Sequence, residues 1–207
     1  LPAAWSRNEA MPTISDGITT PDGSCPVTVA IPDGEGPWPG VVMYPDAGGT
    51  RSTAREMAER LAGLGYVVLL PDVYYRSGTW APFSMSDVFN DKAERQRLFA
   101  MIGSVTPDAM ETDARAFFDY LAARPEVSGE TFGTTGYCMG GRTSLIVAGR
   151  VPERVAAAMP SHTSVCSAGG AHHYRLASPG GGKNIGGTCI KCEESREWKS
   201  DPLDGRG

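Results

Sequence analysis

The sequence predicts an α/β fold, a mainly parallel sheet with helices on both faces, on three observations. Short continuous apolar runs at 40–44 (GVVMY) and 66–72 (YVVLLPD) have the composition of strands buried on both faces. Segments with helical periodicity alternate with these runs along the chain. A glycine-hinged bend, Gly136-Tyr137-Cys138-Met139-Gly140-Gly141, falls between a predicted strand and a predicted helix.

The elements follow in order. Val27 to Ile31 alternates and is β-branched between Pro/Gly-rich segments, which predicts an antiparallel strand of an N-terminal hairpin. The run 40–44 is the first buried strand, and the loop PDAGGTR follows it. From Ser52, Ala54, Met57, Ala58, Leu61 and Leu64 recur at helical spacing and stop at Gly65, a C-cap residue. The run 66–72 then closes a βαβ unit. Residues 73–109 form a long excursion with short helices, expected to lie over the site. Asp113 to Ala123 reads as a helix with Ala114, Phe117, Phe118 and Leu121 on one stripe. Residues 131–150 read strand, sharp turn, helix, and RVAAAMP is one more strand. The domain therefore covers residues 11–160. Residues 1–10 precede Met11 as an N-terminal extension.

The 207 residues allow one domain or a domain with a tail. A 41% hydrophobic and 21% charged composition argues against disorder throughout and against a coiled coil. A net charge of −5 with no Lys/Arg run excludes nucleic acid as the expected partner, since phosphate binding needs clustered cations. No apolar stretch approaches the roughly 20 residues that span a bilayer, so no membrane partner is expected. The five cysteines are odd in number and unevenly spread, unlike a secreted disulfide framework, and the protein reads as cytoplasmic.

The bend around Cys138 is the nucleophile elbow with cysteine in place of serine. Its glycines permit a turn too tight for side chains, lifting the apical sulfur above the sheet at a helix N-terminus, where the dipole favours thiolate. A buried structural thiol is the plain alternative. An elbow needs an oxyanion hole, and the amides of Met139 and Ala47, the latter in the loop Pro45-Asp46-Ala47-Gly48-Gly49, are the candidates. Those glycines could equally serve only a tight βα turn.

VVMYPDAGG, LGYVVLLPDVYYR and GYCMGGR, in this order and at these spacings, resemble the dienelactone hydrolase family of carboxymethylenebutenolidases over about residues 11–160. The resemblance implies an α/β-hydrolase in which a Cys-His-Asp triad opens a small carboxylate-bearing lactone or ester through an acyl-thiol, with no metal or organic cofactor. It implies that Asp46 stands where the family places an acidic residue against the resting cysteine, often a longer glutamate, and that Arg76 binds the substrate carboxylate. A solvated surface arginine is the alternative for Arg76. A cysteine elbow also occurs in amidotransferase-like and peptidase-like enzymes, which do not require the PDVYYR segment.

The rest of the triad is not identifiable. The chain order should be nucleophile, acid, histidine. Between Cys138 and His162, His172 or His173 the acidic residue is Glu153, at the end of the sheet away from catalysis. Residues 161–207 change character, Gly/Ser/Ala-rich and then polar, with no clear strand, and are expected to be an irregular or disordered tail. A frame change or chimeric end near 160–166 would explain this, and a truncated, inactive hydrolase-like domain acting as a binding module is a second reading. Cys189 and Cys192 with Cys166 and the paired histidines lack the second spaced pair of a zinc site.

Overall fold

The computed structural model describes residues 12–161 and three further strands at Tyr174–Leu176, Asn184–Cys189 and Ser195–Lys199. The first sheet contains β1 (Thr13–Thr20), β2 (Gly23–Ala30), β3 (Trp38–Tyr44), β4 (Val67–Pro71), β5 (Val127–Tyr137) and β6 (Val155–Ser161), in the order β1-β2-β4-β3-β5-β6. β1 and β2 form the expected hairpin, and β2 pairs antiparallel with β4. From β4 through β3 and β5 to β6 the sheet is parallel.

Alternation across the pleat assigns each residue of the apolar runs to a face. Val68 and Leu70 of β4 join Met43 and Ala30 beneath α1 (Ser52–Ala62), whose Ala54, Ala58 and Ala62 bring the helix close. Val42, Tyr44, Val67 and Leu69 face the opposite side, against Phe117, Phe118 and Leu121 of α4 (Pro107–Ala122) and Ile146 and Val147 of α5 (Met139–Arg150). Helices thus cover both faces, as the runs predict.

Among the boundaries that differ from the sequence reading are two helix ends. α4 begins at Pro107, earlier than Asp113, because the Thr106 hydroxyl accepts from Ala109 N at 3.2 Å and proline at the first position suits a helix start. α1 stops at a Gly63 C-cap before Leu64, while Gly65 adopts φ 90° in the turn into β4. The excursion after β4 holds a 3-10 turn at Tyr75–Ser77 and the helices α2 (Met85–Asn90) and α3 (Lys92–Ser104).

Beyond Ser161, where no strand was legible, β7 (Tyr174–Leu176), β8 (Asn184–Cys189) and β9 (Ser195–Lys199) pair antiparallel in sequence order. Their pairing rests on backbone hydrogen bonds in segments such as NIGGTC that lack apolar alternation.

The topology marks a site. From β3 the chain runs to β4 on one side and then crosses to β5 on the other, so β3 and β5 flank a switch point. Ligands in open α/β sheets bind outside the carboxyl ends of strands at such a point. The loop after Tyr44 and the residue after Tyr137 meet there, since Tyr44 is in register with Gly136.

Candidate active site

Cys138 sits alone between β5 and α5 at φ 54°, ψ −116°. It is the one non-glycine residue with positive φ among the described residues, and its side chain is exposed. A residue held there costs of order 1–3 kcal/mol and persists only where its surroundings impose it. The constraint is steric. A Cβ on Gly140 would lie 2.1 Å from the Tyr44 carbonyl oxygen and 2.7 Å from that of Pro45. A Cβ on Gly136 would lie 2.5 Å from the Gly140 carbonyl carbon and 2.6 Å from the Tyr44 oxygen. The bend is packed against the end of β3, which two bare glycines alone permit. Behind it, Thr134 Oγ1 and Ser144 Oγ lie 2.8 Å apart and the Thr143 hydroxyl donates to Met139 O at 3.0 Å, locking α5 to β5. As the first residue of α5, Met139 presents an N–H with no intrahelical acceptor.

The loop after β3 is fixed by its own hydrogen bonds. Gly49 N donates to Asp46 O at 2.9 Å, and Gly48 N donates to the Asp46 carboxylate at 2.8 Å. Across a trans peptide the N–H opposes the C=O. Ala47 N–H therefore points away from Gly49, and it has no acceptor among the described residues. The Asp46 carboxylate forms an ion pair with Arg51, whose guanidinium lies over Gly48. Asp46 thus braces its loop, and its second oxygen goes to Arg51 where the family resemblance implies the cysteine.

Tyr74, fully buried, joins the two segments. Its hydroxyl donates to Ala47 O at 3.0 Å and lies 3.5 Å from Met139 Sδ. Burial, with the nearby Asp46 and Asp72 carboxylates, pushes the pKa of this phenol up. Trp80 meets the Tyr74 ring edge-on at 5.5 Å and donates to Asp72 Oδ2 at 2.9 Å.

Arg76, which the resemblance sets against a substrate carboxylate, meets two aspartates of the chain itself. Its Nε and Nη2 donate to Asp22 Oδ2 at 2.9 and 2.7 Å, and its Nη1 and Nη2 donate to Asp113 at 2.8 Å each. Four of the five guanidinium N–H groups are thereby engaged. The residue joins the β1–β2 turn, the segment after β4 and α4. Tyr75 completes the cluster, its hydroxyl donating to Asp113 at 2.8 Å and lying 2.7 Å from that of Thr20.

Sequence reasoning missed Asp113 and Tyr74. Asp113 stands in the apolar stripe of α4 beside Ala114 and four residues before Phe117, and a carboxylate inside such a stripe demands a buried cation. Nothing local distinguishes Tyr74 from Tyr75 beyond their adjacency.

Glu153 lies in a 3-10 turn, Pro152–Arg154, at the start of β6 and pairs with Arg115 at 2.7 Å, at the opposite end of the sheet from Cys138. His162, His172, His173, Cys166 and Cys192 lie outside the described residues, as does the N-terminal extension 1–10. Among the described residues no cluster of His, Cys, Asp and Glu could hold a metal ion, and no helix is long and apolar enough to cross a membrane. A cleft of about 530 Å³ opens beside the loop, bordered by Gly48, Arg51, Arg55, Tyr75 and Trp80.

A model described as the dienelactone hydrolase family matches residues 25–178. Carboxymethylenebutenolidase of a Pseudomonas species is 31% identical over 110 residues, covering 53% of this chain and 44% of the relative. Carboxymethylenebutenolidase of Pseudomonas putida is 28% identical over 114 residues, covering 55% and 46%. A crystal structure of a dienelactone hydrolase-like promiscuous phosphotriesterase from metagenomic libraries is 28% identical, with TM-score 0.55, over 73% of this chain and 59% of that one. The chain spans about half the length of the curated relatives it matches. The family match runs past residue 160, where the sequence motifs ended, and with the elbow at the switch point it settles the assignment: this chain belongs to the dienelactone hydrolase family.

Proposed function

We propose that the chain opens small lactones or esters by nucleophilic attack of Cys138. The family acts on such substrates, and the observation that carries the cysteine route is the strained, exposed Cys138 at a bend locked by Gly136 and Gly140. In this reading the Cys138 thiolate adds to the carbonyl carbon, and the oxygen takes the negative charge between the N–H groups of Met139 and Ala47. The tetrahedral adduct collapses with cleavage of the C–O bond. The departing alkoxide takes up a proton from water, and the acyl group remains on sulfur as a thioester, which water cleaves to the carboxylic acid and the Cys138 thiol.

In this reading acylation outpaces hydrolysis of the thioester. With Arg76 committed, the cleft cations, Arg55 foremost because it has no partner among the described residues, are left to meet a substrate carboxylate. The family assignment leaves the amidotransferase-like alternative without support.

The test is a pre-steady-state assay with para-nitrophenyl acetate. The expected result is a burst of one nitrophenolate per chain with one acetyl group on the Cys138 peptide, both lost in Cys138→Ala. An undiminished burst in Cys138→Ala, or label elsewhere, refutes the reading.

A further inference from the structure

We infer that Tyr74 is a positioning residue for the oxyanion hole, an inference that rests on the cysteine route proposed above. The two donors come from segments far apart in sequence, the loop after β3 and the first turn of α5, so their spacing is not set by either segment alone. Within the loop, the Asp46 carboxylate and the Gly49 amide fix the 46–47 peptide, but neither fixes the loop against the elbow.

The hydroxyl of Tyr74 does so. It holds the Ala47 carbonyl at 3.0 Å while resting 3.5 Å from the Met139 sulfur, so one buried atom touches both donor-bearing residues. The tyrosine itself has no freedom to follow the loop. Its backbone N–H donates to Asp72 Oδ1 at 2.9 Å, its ring meets Trp80, and the next two residues are tied into the Asp22, Asp113 and Thr20 cluster. Trp80 is in turn fixed against the loop, since its ring fills the space above Gly49, where a Cβ would come within 2.5 Å.

The phenol therefore transmits a rigid reference from the β4 side of the sheet to the two amides. Among the described residues its hydroxyl bonds to Ala47 O and Met139 Sδ and makes no hydrogen bond to Cys138. Its effect falls on charge stabilisation at the substrate oxygen and leaves the thiol alone. Removing one oxyanion donor costs roughly a hundredfold to a thousandfold in rate, and a displaced donor costs part of that.

The experiment compares the intact chain with Tyr74→Phe in two reactions of Cys138. One is acylation by para-nitrophenyl acetate, which builds an oxyanion. The other is alkylation by iodoacetamide, a displacement at saturated carbon that builds none. The expected result is acylation slowed at least tenfold with alkylation within twofold. Should the phenyl variant fail to fold, Tyr74→Met, equally unable to donate, is measured in the same way and is expected to split the two rates alike. Acylation within twofold of the parent overturns the inference, as does an equal fall in both rates, which would mark a general structural role. Failure of the cysteine reading itself is distinct, since Cys138→Ala would then keep its burst.

Discussion

Replacing Arg76 by methionine separates a structural clamp from a substrate receptor. The guanidinium and the Asp113 carboxylate are 18% and 6% exposed, while Asp22 is 50% exposed. The Asp22 contact is screened by water and contributes at most about 1 kcal/mol. The Asp113 contact is the costly one to break. Methionine leaves Asp113 buried with the Tyr75 hydroxyl as its remaining donor, and an uncompensated buried charge of this sort costs about 3–5 kcal/mol. Partial exposure of Arg76 admits some water, so about 3 kcal/mol is the expected loss. A shift of about 6–12 °C in Tm follows for a domain of this size. Adding Asp113→Leu removes the orphaned charge along with its partner, and the double variant should recover about 2 kcal/mol of the loss. Urea denaturation followed by circular dichroism measures all four corners of the cycle. A loss below 1 kcal/mol for Arg76→Met, or no recovery in the double variant, refutes the clamp. A stable Arg76→Met protein that has lost only affinity for carboxylate-bearing esters would restore the receptor role.

Two further outcomes follow from the geometry of the thiols. Cys138→Gly should raise stability by about 1 kcal/mol in the same denaturation assay while eliminating the acylation burst, because glycine occupies φ 54° without the cost that cysteine bears there; unchanged or lower stability would show that the bend stores no strain. Burial, reinforced by the charges of Asp113 and Asp72, pushes the Cys25 thiol up to about 12, so peptide mapping after iodoacetamide treatment between pH 7 and 9 should find Cys138 labelled and Cys25 bare, with Cys25 labelling only in urea.

The fold was legible because burial on two faces leaves a compositional trace. Runs such as VVLL contain no polar residue to orient, and a strand with both faces covered needs none. The elbow was legible for a related reason, since Gly136 and Gly140 each stand where any side chain would strike backbone. Sequence signals of this kind record prohibitions, and prohibitions are local. What could not be read was where long polar side chains go. Arg76 carries the same local pattern whether its guanidinium faces a substrate or Asp113, which lies 37 positions downstream.

The same distinction bears on the site. Cys138 and Met139 were legible as a unit because one backbone turn defines both, but the separation of the Met139 and Ala47 amides depends on the register of Tyr44 with Gly136 and on the contact of the Tyr74 hydroxyl with the loop. A chain could retain every elbow glycine and still present two amides at the wrong separation. Conversely, among the described residues the Asp22, Arg76 and Asp113 cluster makes no hydrogen bond to the elbow, yet it anchors the segment that carries Tyr74. On the reading proposed above, the clamp and the oxyanion hole are linked through two consecutive residues, Tyr74 and Tyr75. Loosening the clamp should widen the donor separation before it unfolds the sheet, which is why the Arg76 variants should lose acylation rate at temperatures where their circular dichroism is still native.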